Sequence, residues 1–214
     1  VENLLAGYRR FREQIWPAER MRYEMLSERG QRPQTLVVSC SDSRVDPPTV
    51  FGAAPGELFV IRNVAGLVPP YQPDGGCHGT SAALEFGVRV LQVARIVVLG
   101  HAQCGGVRAA VEGAPPEASD FVAPWMALAG GVLECAPTGT PNGASKAAPG
   151  TASHAERLSR CELAIVRLSL RNLRTFPWIA QAVAAGRLTL HGMQFDIHTG
   201  VLANVGPDGL EPID

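Results

Sequence analysis

The 214-residue chain has no excess of charge of either sign. Its 19 Lys and Arg stand against 20 Asp and Glu, a formal net charge of −1, so nothing in the composition points to nucleic acid or to an anionic membrane surface. No apolar run approaches the length needed to span a bilayer. No basic segment followed by an apolar one opens the chain, so no signal peptide is expected. The first residue, Val1, is not methionine, which leaves a removed leader open. No even cysteine framework is present. Five cysteines in a chain of this size fit thiols or metal ligands in a reducing compartment, the cytoplasm, better than paired disulfides. Neither G-x-x-x-x-G-K-S/T nor G-x-G-x-x-G occurs, which disfavours a nucleotide site, and there is no internal repeat. What is there is globular in character, with 46% hydrophobic and 18% charged residues. The length predicts one domain, residues 1–214, with a substantial core.

Two stretches organise the chain. Thr35-Leu36-Val37-Val38 breaks into Ser39-Cys40-Ser41-Asp42-Ser43-Arg44. Ile96-Val97-Val98-Leu99 breaks into Gly100-His101-Ala102-Gln103-Cys104-Gly105-Gly106. Each is a β-branched run ending in small and polar residues, as a buried strand does where it feeds a loop. Around them, residues 2–29 show helical spacing of Leu4, Leu5, Tyr8, Phe11, Ile15 and Trp16, interrupted at Pro17. This amphipathic arm, residues 1–30, packs either on its own domain or on a partner subunit. Asp46-Pro47-Pro48-Thr49 reads as a helix start, and Ala54-Pro55-Gly56 as a turn. Leu58–Ile61 is a second buried strand, ending in Arg62-Asn63. A helix over 79–93 is expected to turn Ala83, Leu84, Phe86, Gly87, Val90 and Leu91 inward. A short helix follows Gly105-Gly106 and stops at Gly113. Helix is expected again over 119–135, 154–174 and 177–185. Residues 136–153, rich in Ala, Pro, Gly, Thr and Ser, read as a surface loop. Arg187–Gly192 and Gln194–Ile197 read as closing strands with a turn at Thr199-Gly200. Strands separated by helices imply a parallel α/β sheet, to which the closing pair adds an antiparallel edge.

Sites in such sheets lie beyond the carboxyl ends of the strands, so Cys40, His101 and Cys104 arrive at one sheet edge. Two thiolates and one imidazole are a three-ligand zinc set that leaves a fourth position for chemistry. His101-x-x-Cys104 alone is a weak signal; joined to a strand-end Cys40 with Asp42 and Arg44 nearby it becomes strong. Asp42 and Arg44 otherwise read as a helix-capping carboxylate and a solvated arginine. Arginine forms bidentate pairs with carboxylates, which favours a role beside the metal. Cys77, Cys135 and Cys161 read as packing cysteines, and His78, His154, His191 and His198 as satisfied structural histidines. Gly105-Gly106 at a helix start offers unobstructed N–H groups suited to an anion.

Four motifs in order resemble the β-class carbonic anhydrases: Cys40–Val45, Gly56–Asn63, Ala83–Phe86 and Gly100–Gly106. Leu190-His191-Gly192 and Phe195–Gly200 are similar as well. The likeness is close over residues 30–112 and looser over 154–202, with no counterpart for 136–153. It departs at Gly66, where the family often has Asn, a difference bearing on local loop shape. The resemblance implies a central, mostly parallel four-stranded sheet with an added C-terminal edge strand, flanked by helices. It implies a homodimer, often paired into larger assemblies, with the amino-terminal helices embracing the partner. It implies a lyase that reversibly hydrates carbon dioxide to bicarbonate on zinc held by Cys40, His101 and Cys104. The metal lowers the pKa of a bound water so that hydroxide forms and attacks the carbon. Asp42 is expected to accept the hydrogen bond of that hydroxide, and Arg44 to keep the carboxylate off the zinc. Gln31, Phe59, Val64 and Phe86 match the positions lining the carbon dioxide pocket, Gln31 and Phe59 coming from the neighbouring subunit, and the Gly105 N–H is placed to hold bicarbonate.

Part of the family carries a bicarbonate-operated off switch built on a tryptophan, an arginine and a tyrosine. Here only the arginine, Arg62, is kept; Val37 and Phe195 stand at the other two positions and offer no donor. The chain therefore resembles the subgroup without the switch. Two other functions stay open on the sequence: a hydrolase of carbon disulfide or carbonyl sulfide on the same scaffold, and a non-catalytic zinc module in which Asp42 closes a four-ligand site.

Overall fold

The computed structural model describes residues 1–130, 153–206 and 209–213. Its centre is a six-stranded sheet in the order β2-β1-β3-β4-β5-β6. Strands β1 (Thr35–Cys40), β2 (Leu58–Asn63), β3 (Arg95–His101) and β4 (Thr189–Phe195) are parallel. Strands β5 (Leu202–Val205) and β6 (Leu210–Pro212) add antiparallel pairs at one edge. The α/β architecture is thus as expected, with two added edge strands instead of one. The closing segments Arg187–Gly192 and Gln194–Ile197 are not two strands, because β4 runs through both. Gly192 marks no turn there. A Cβ on it would meet Leu170 and Val166 side chains at 2.9 Å, so glycine lets the helix behind the strand come close. The turn at Thr199-Gly200 does form, with Gly200 at φ +74° and its N–H on the Asp196 carbonyl.

The alternation of β1 and β3 assigns their residues to two faces. Leu36, Val38, Ile96 and Val98 share one core with Leu84, Val166, Leu173, Phe176 and Ile179. Val37, Val97 and Leu99 share another with Phe51, Leu58, Met193 and Phe195. Because both faces are covered, these strands read as unbroken apolar runs.

Helices α1 (Glu2–Arg10) and α2 (Trp16–Arg29) are joined by a π-helical turn over Phe11–Ile15. The Trp16 N–H reaches back five residues to the Phe11 carbonyl, and the wider turn precedes Pro17, which has no N–H to donate. No residue of α1 or α2 is buried. Phe11, Trp16 and Tyr23 pack on one another, while Leu4 is 77% and Met21 82% exposed. Helix α3 (Pro47–Phe51) is capped by Asp46, whose carboxylate accepts the Thr49 N–H, and ends at left-handed Gly52. Helix α4 (Gly79–Glu85) continues into a second π turn, Phe86–Val90. There the expectation fails in part: Leu84 and Gly87 are buried, but Phe86 is 44% and Val90 62% exposed. The extra residue of a π turn rotates the next residues away from the 3.6-residue pattern.

Helix α5 (Gly105–Glu112) follows β3, and α6 covers Val122–Ala127. Helix α7 (His154–Leu173) opens with a Ser153–Glu156 capping box, and α8 covers Pro177–Ala184. The helix expected over 119–135 is shorter, and its last residues, 131–135, lie outside the described residues. So does the loop expected at 136–153, apart from Ser153. No described helix is long and apolar enough to cross a membrane.

Candidate metal centre

Register brings the two organising stretches together. Cys40 ends β1 opposite Asn63, and His101 ends β3 opposite Phe195. The chain then turns through Ala102 and Gln103 to Cys104, just ahead of α5. All three ligand atoms lie within 4.8 Å of one another, and all three residues are buried. No other such group occurs among the described residues.

The donor set fits zinc. The Cys40 and Cys104 sulfurs are 3.8 Å apart. Two thiolates sharing one tetrahedral zinc at ~2.3 Å each would sit about 3.8 Å apart. His101 Nδ1 donates to the Ala102 carbonyl at 2.9 Å, a tautomer that leaves the Nε2 lone pair free. That Nε2 is buried and has no hydrogen-bond partner, as a ligand atom facing a metal would be. The Cys104 thiol first, and then the nearby His101 ring, hold the Cys40 thiol well below its ordinary value, against burial. The Cys40 sulfur in turn pushes Cys104 up.

Beside the ligands, Arg44 grips Asp42 with both arms. Its Nε donates to Oδ1 at 2.9 Å and its Nη2 to Oδ2 at 2.7 Å. The Arg44 backbone N–H also donates to Oδ1, so backbone and side chain together draw the carboxylate toward residue 44. This guanidinium grip holds the Asp42 carboxyl well below the usual carboxylate range. Asp42 Oδ2 lies 3.9 Å from His101 Nε2. Asp42 caps no helix; that task falls to Asp46.

Arg62 clamps the same loop from beneath. Its Nε donates to the Cys40 carbonyl at 3.0 Å, and its Nη2 to the Asp42 and Val45 carbonyls at 2.7 Å each. Val64 packs in the core that holds Cys40 and Cys104. Its carbonyl accepts the Trp125 indole N–H at 2.9 Å. A cavity of about 740 Å³ opens alongside, walled in part by Ser41, Val64, Thr80 and Trp125. Gly105 stands exposed directly after Cys104.

The structure thus gathers Cys40, Asp42, Arg44, Val64, His101, Cys104 and Gly105. It does not bring Gln31, Phe59 or Phe86 to them within one chain. Phe59 lies opposite Leu36 in the other core, four residues or ~13 Å down β2 from Asn63. Phe86 stacks on Phe59 with ring centroids 5.9 Å apart, and Gln31 is exposed after the arm. Cys77, expected to pack, is exposed in the loop that Asp74 and His78 close by a 2.6 Å contact. Cys161 is buried as expected, and Cys135 lies outside the described residues. His78, His154 and His191 have polar partners in Asp74, Glu112 and Thr189. Sequence reasoning missed the Arg62 clamp, Trp125 and Glu162. Glu162 had a readable signal: helical spacing sets it on the buried face of α7 with Cys161, Ile165 and Val166.

A parallel α/β sheet whose strand ends converge two thiolates, an imidazole and a restrained carboxylate belongs to a metal-dependent enzyme. Comparisons with known proteins narrow the class. A family model described as carbonic anhydrase matches residues 35–202. A carbonic anhydrase of Pseudomonas aeruginosa is 40% identical over 200 residues, covering 94% of this chain and 85% of that protein. Among solved structures, the β-carbonic anhydrase CcaA superposes with a TM-score of 0.85 at 27% identity, over 99% of this chain and 98% of that one. A tetrameric β-carbonic anhydrase of Sordaria macrospora superposes with a TM-score of 0.68 at 28% identity, over 96% and 93%. Sequence and fold agree with the geometry, and the chain belongs to the β-class carbonic anhydrases.

Proposed function

We propose that this enzyme reversibly hydrates carbon dioxide to bicarbonate and a proton on zinc held by Cys40, His101 and Cys104. The observation that carries the proposal is the unpartnered His101 Nε2, facing two sulfurs, with the Arg44-held Asp42 carboxylate 3.9 Å away. Cys40, His101 and Cys104 would hold the zinc, which when bound would supply an acidified water as the nucleophile. The residues of the chain do the rest. Asp42, charged and turned by Arg44, has lone pairs left over to accept a hydrogen bond from the nucleophile and aim it. Arg44, by holding both carboxylate oxygens, keeps Asp42 from closing the fourth ligand position. That grip weighs against a purely structural zinc site. Val64 offers an apolar wall for carbon dioxide, and the Gly105 N–H a donor for bicarbonate.

Gln31, Phe59 and Phe86 complete the pocket from a second copy in this proposal. The support is their distance from the metal set within one chain and the exposure of Phe86 beside Phe59. The unburied arm supports the same assembly, a homodimer or a pair of dimers, in which each arm covers its partner. The whole chain then acts as one zinc-enzyme domain. The cysteine usage supports a cytoplasmic setting.

Stopped-flow carbon dioxide hydration with metal analysis tests the proposal. The wild type should carry one zinc per subunit and turn over, and Cys104→Ser should lose both. Full zinc without turnover at any pH would favour the structural site. Turnover of carbonyl sulfide but not carbon dioxide would favour the alternative hydrolase.

A further inference from the structure

We propose that Glu162 is a positioning residue for this metal centre, acting on the turn that carries His101 and Cys104. Its role so defined rests on the assignment of Cys40, His101 and Cys104 as metal ligands. Glu162 lies on α7 and is only 5% exposed, among apolar neighbours where an acid is costly unless hydrogen-bonded. Its Oε1 accepts the Cys104 backbone N–H at 3.2 Å, and the neighbouring Gln103 amide also favours the charged carboxylate. Its Oε2 lies 3.4 Å from Gln194 Nε2. On the far side of the turn, the Gln103 carbonyl accepts from Arg44 Nη2 at 3.0 Å.

The Gln103 carbonyl and the Cys104 N–H belong to one peptide plane. That plane is pinned at one edge by Glu162 and at the other by the arginine that grips Asp42. It needs pinning, because Gln103 sits at φ +57°, in the left-handed region that residues other than glycine seldom adopt. A rotation of the plane would break both contacts, swing the Cys104 Cα and loosen Arg44. Glu162 thereby couples the ligand turn to the Asp42–Arg44 pair without touching either the metal position or the substrate. Its task is reach: a carboxyl oxygen at the right distance from the turn amides. Gln194 is free to adapt, since its Oε1 has no partner and lies over Gly100, where a Cβ would come within 2.4 Å.

Two substitutions separate reach from charge. Glu162→Asp keeps the carboxyl group but is one methylene short. Glu162→Gln keeps the length and an acceptor oxygen, and Gln194 can turn its Oε1 toward the new amide. The readouts are the visible bands of the cobalt(II)-substituted protein, which report ligand geometry, and the rate of zinc release to a chelator. Glu162→Asp should shift the bands and release zinc about 10-fold faster or more, as loss of an outer partner does. Glu162→Gln should keep the band positions and release zinc within about twofold of the wild type. Adding Gln103→Gly to Glu162→Asp should restore the bands, because glycine holds a positive φ unaided. Unchanged bands and release in Glu162→Asp would overturn the proposal. So would equal disruption by Glu162→Gln, which would make charge the cause. Hydrogen exchange on the wild-type holoenzyme needs no variant: the Cys104 N–H should be protected at least about 100-fold, and fast exchange overturns the assignment. A wild type unable to bind cobalt or zinc would overturn the ligand assignment itself, and the positioning role with it.

Discussion

Charge balance at the centre governs its chemistry at the scale of single residues. Two thiolates would cancel the charge of a zinc ion held there, so less positive charge would be left to acidify its water than three neutral imidazoles would leave. We expect kcat/KM to climb from pH 6 to 9, with a midpoint above the value of about 7 typical of three-histidine sites. A flat profile over that range would contradict this. Asp42 is not the titrating group in that range. The Arg44 hydrogen bonds lower its folded-state pKa, so its stabilising contribution is present above the ordinary carboxylate pKa of about 3.9. That contribution is lost only as the pH falls through the depressed value. Asp42→Asn should therefore lower kcat/KM by about 100-fold at every pH from 6 to 9 while zinc content holds, the scale of a lost proton-handling group. Added bicarbonate should not steepen the acid limb. Arg62 is occupied by three backbone carbonyls, and Val37 and Phe195 have no donor to offer an anion. A structure near neutral pH with Asp42 on zinc and its contact to Arg44 broken would refute this.

Among the elements, the start of α5 leaves little room beside the pocket wall. A Cβ on Gly106 would lie 2.8 Å from Val64 Cγ1 and 3.0 Å from the Ala65 N. Gly106→Val must therefore displace Val64, the apolar wall proposed for carbon dioxide. We expect a loss of about 1–3 kcal/mol from overpacking. For a chain of this size that lowers Tm by roughly 2–12 °C. kcat/KM should fall with it, and unchanged values of both would show that α5 shifts freely. The strand ends were legible because short β-branched runs that stop at small and polar residues are seldom anything but buried strands. The π turns were not. The turn over Phe86–Val90 carries Gly87, where a Cβ would meet Leu36 Cδ1 of another strand at 2.4 Å, and in the arm only the interruption at Pro17 was legible, not its π form.

For the molecule as a whole, the arm and the scattered pocket residues pose one question. Helices α1 and α2 bury nothing, yet the arm carries Leu4, Leu5, Tyr8, Ile15, Met21 and Met25 to the surface. An apolar face of this kind marks an interaction surface. The proposed second copy would account for both the arm and the remote Gln31, Phe59 and Phe86. Sedimentation at assay concentration should find dimers or larger species. Removing residues 2–29 should yield a dissociated chain with little activity. A fully active monomer would refute the shared pocket.

The sequence by itself determined the sheet class and the gathering of the three candidate ligands. Cys40, His101 and Cys104 stand at the ends of apolar runs, and strand direction alone sends such ends to one edge. It also determined the Asp42–Arg44 partnership, since the two are near neighbours in a loop too short to separate them. Only the tertiary structure decided what holds that site in shape. Arg62 meets Cys40, Asp42 and Val45 through parallel pairing of β1 with β2, and Glu162 meets Cys104 across 58 residues of chain. It also decided that Phe86 and Phe59 lie apart from the candidate metal ligands within one chain. Such contacts depend on which helix crosses which strand and at what height, and periodicity along one segment carries no record of that distance.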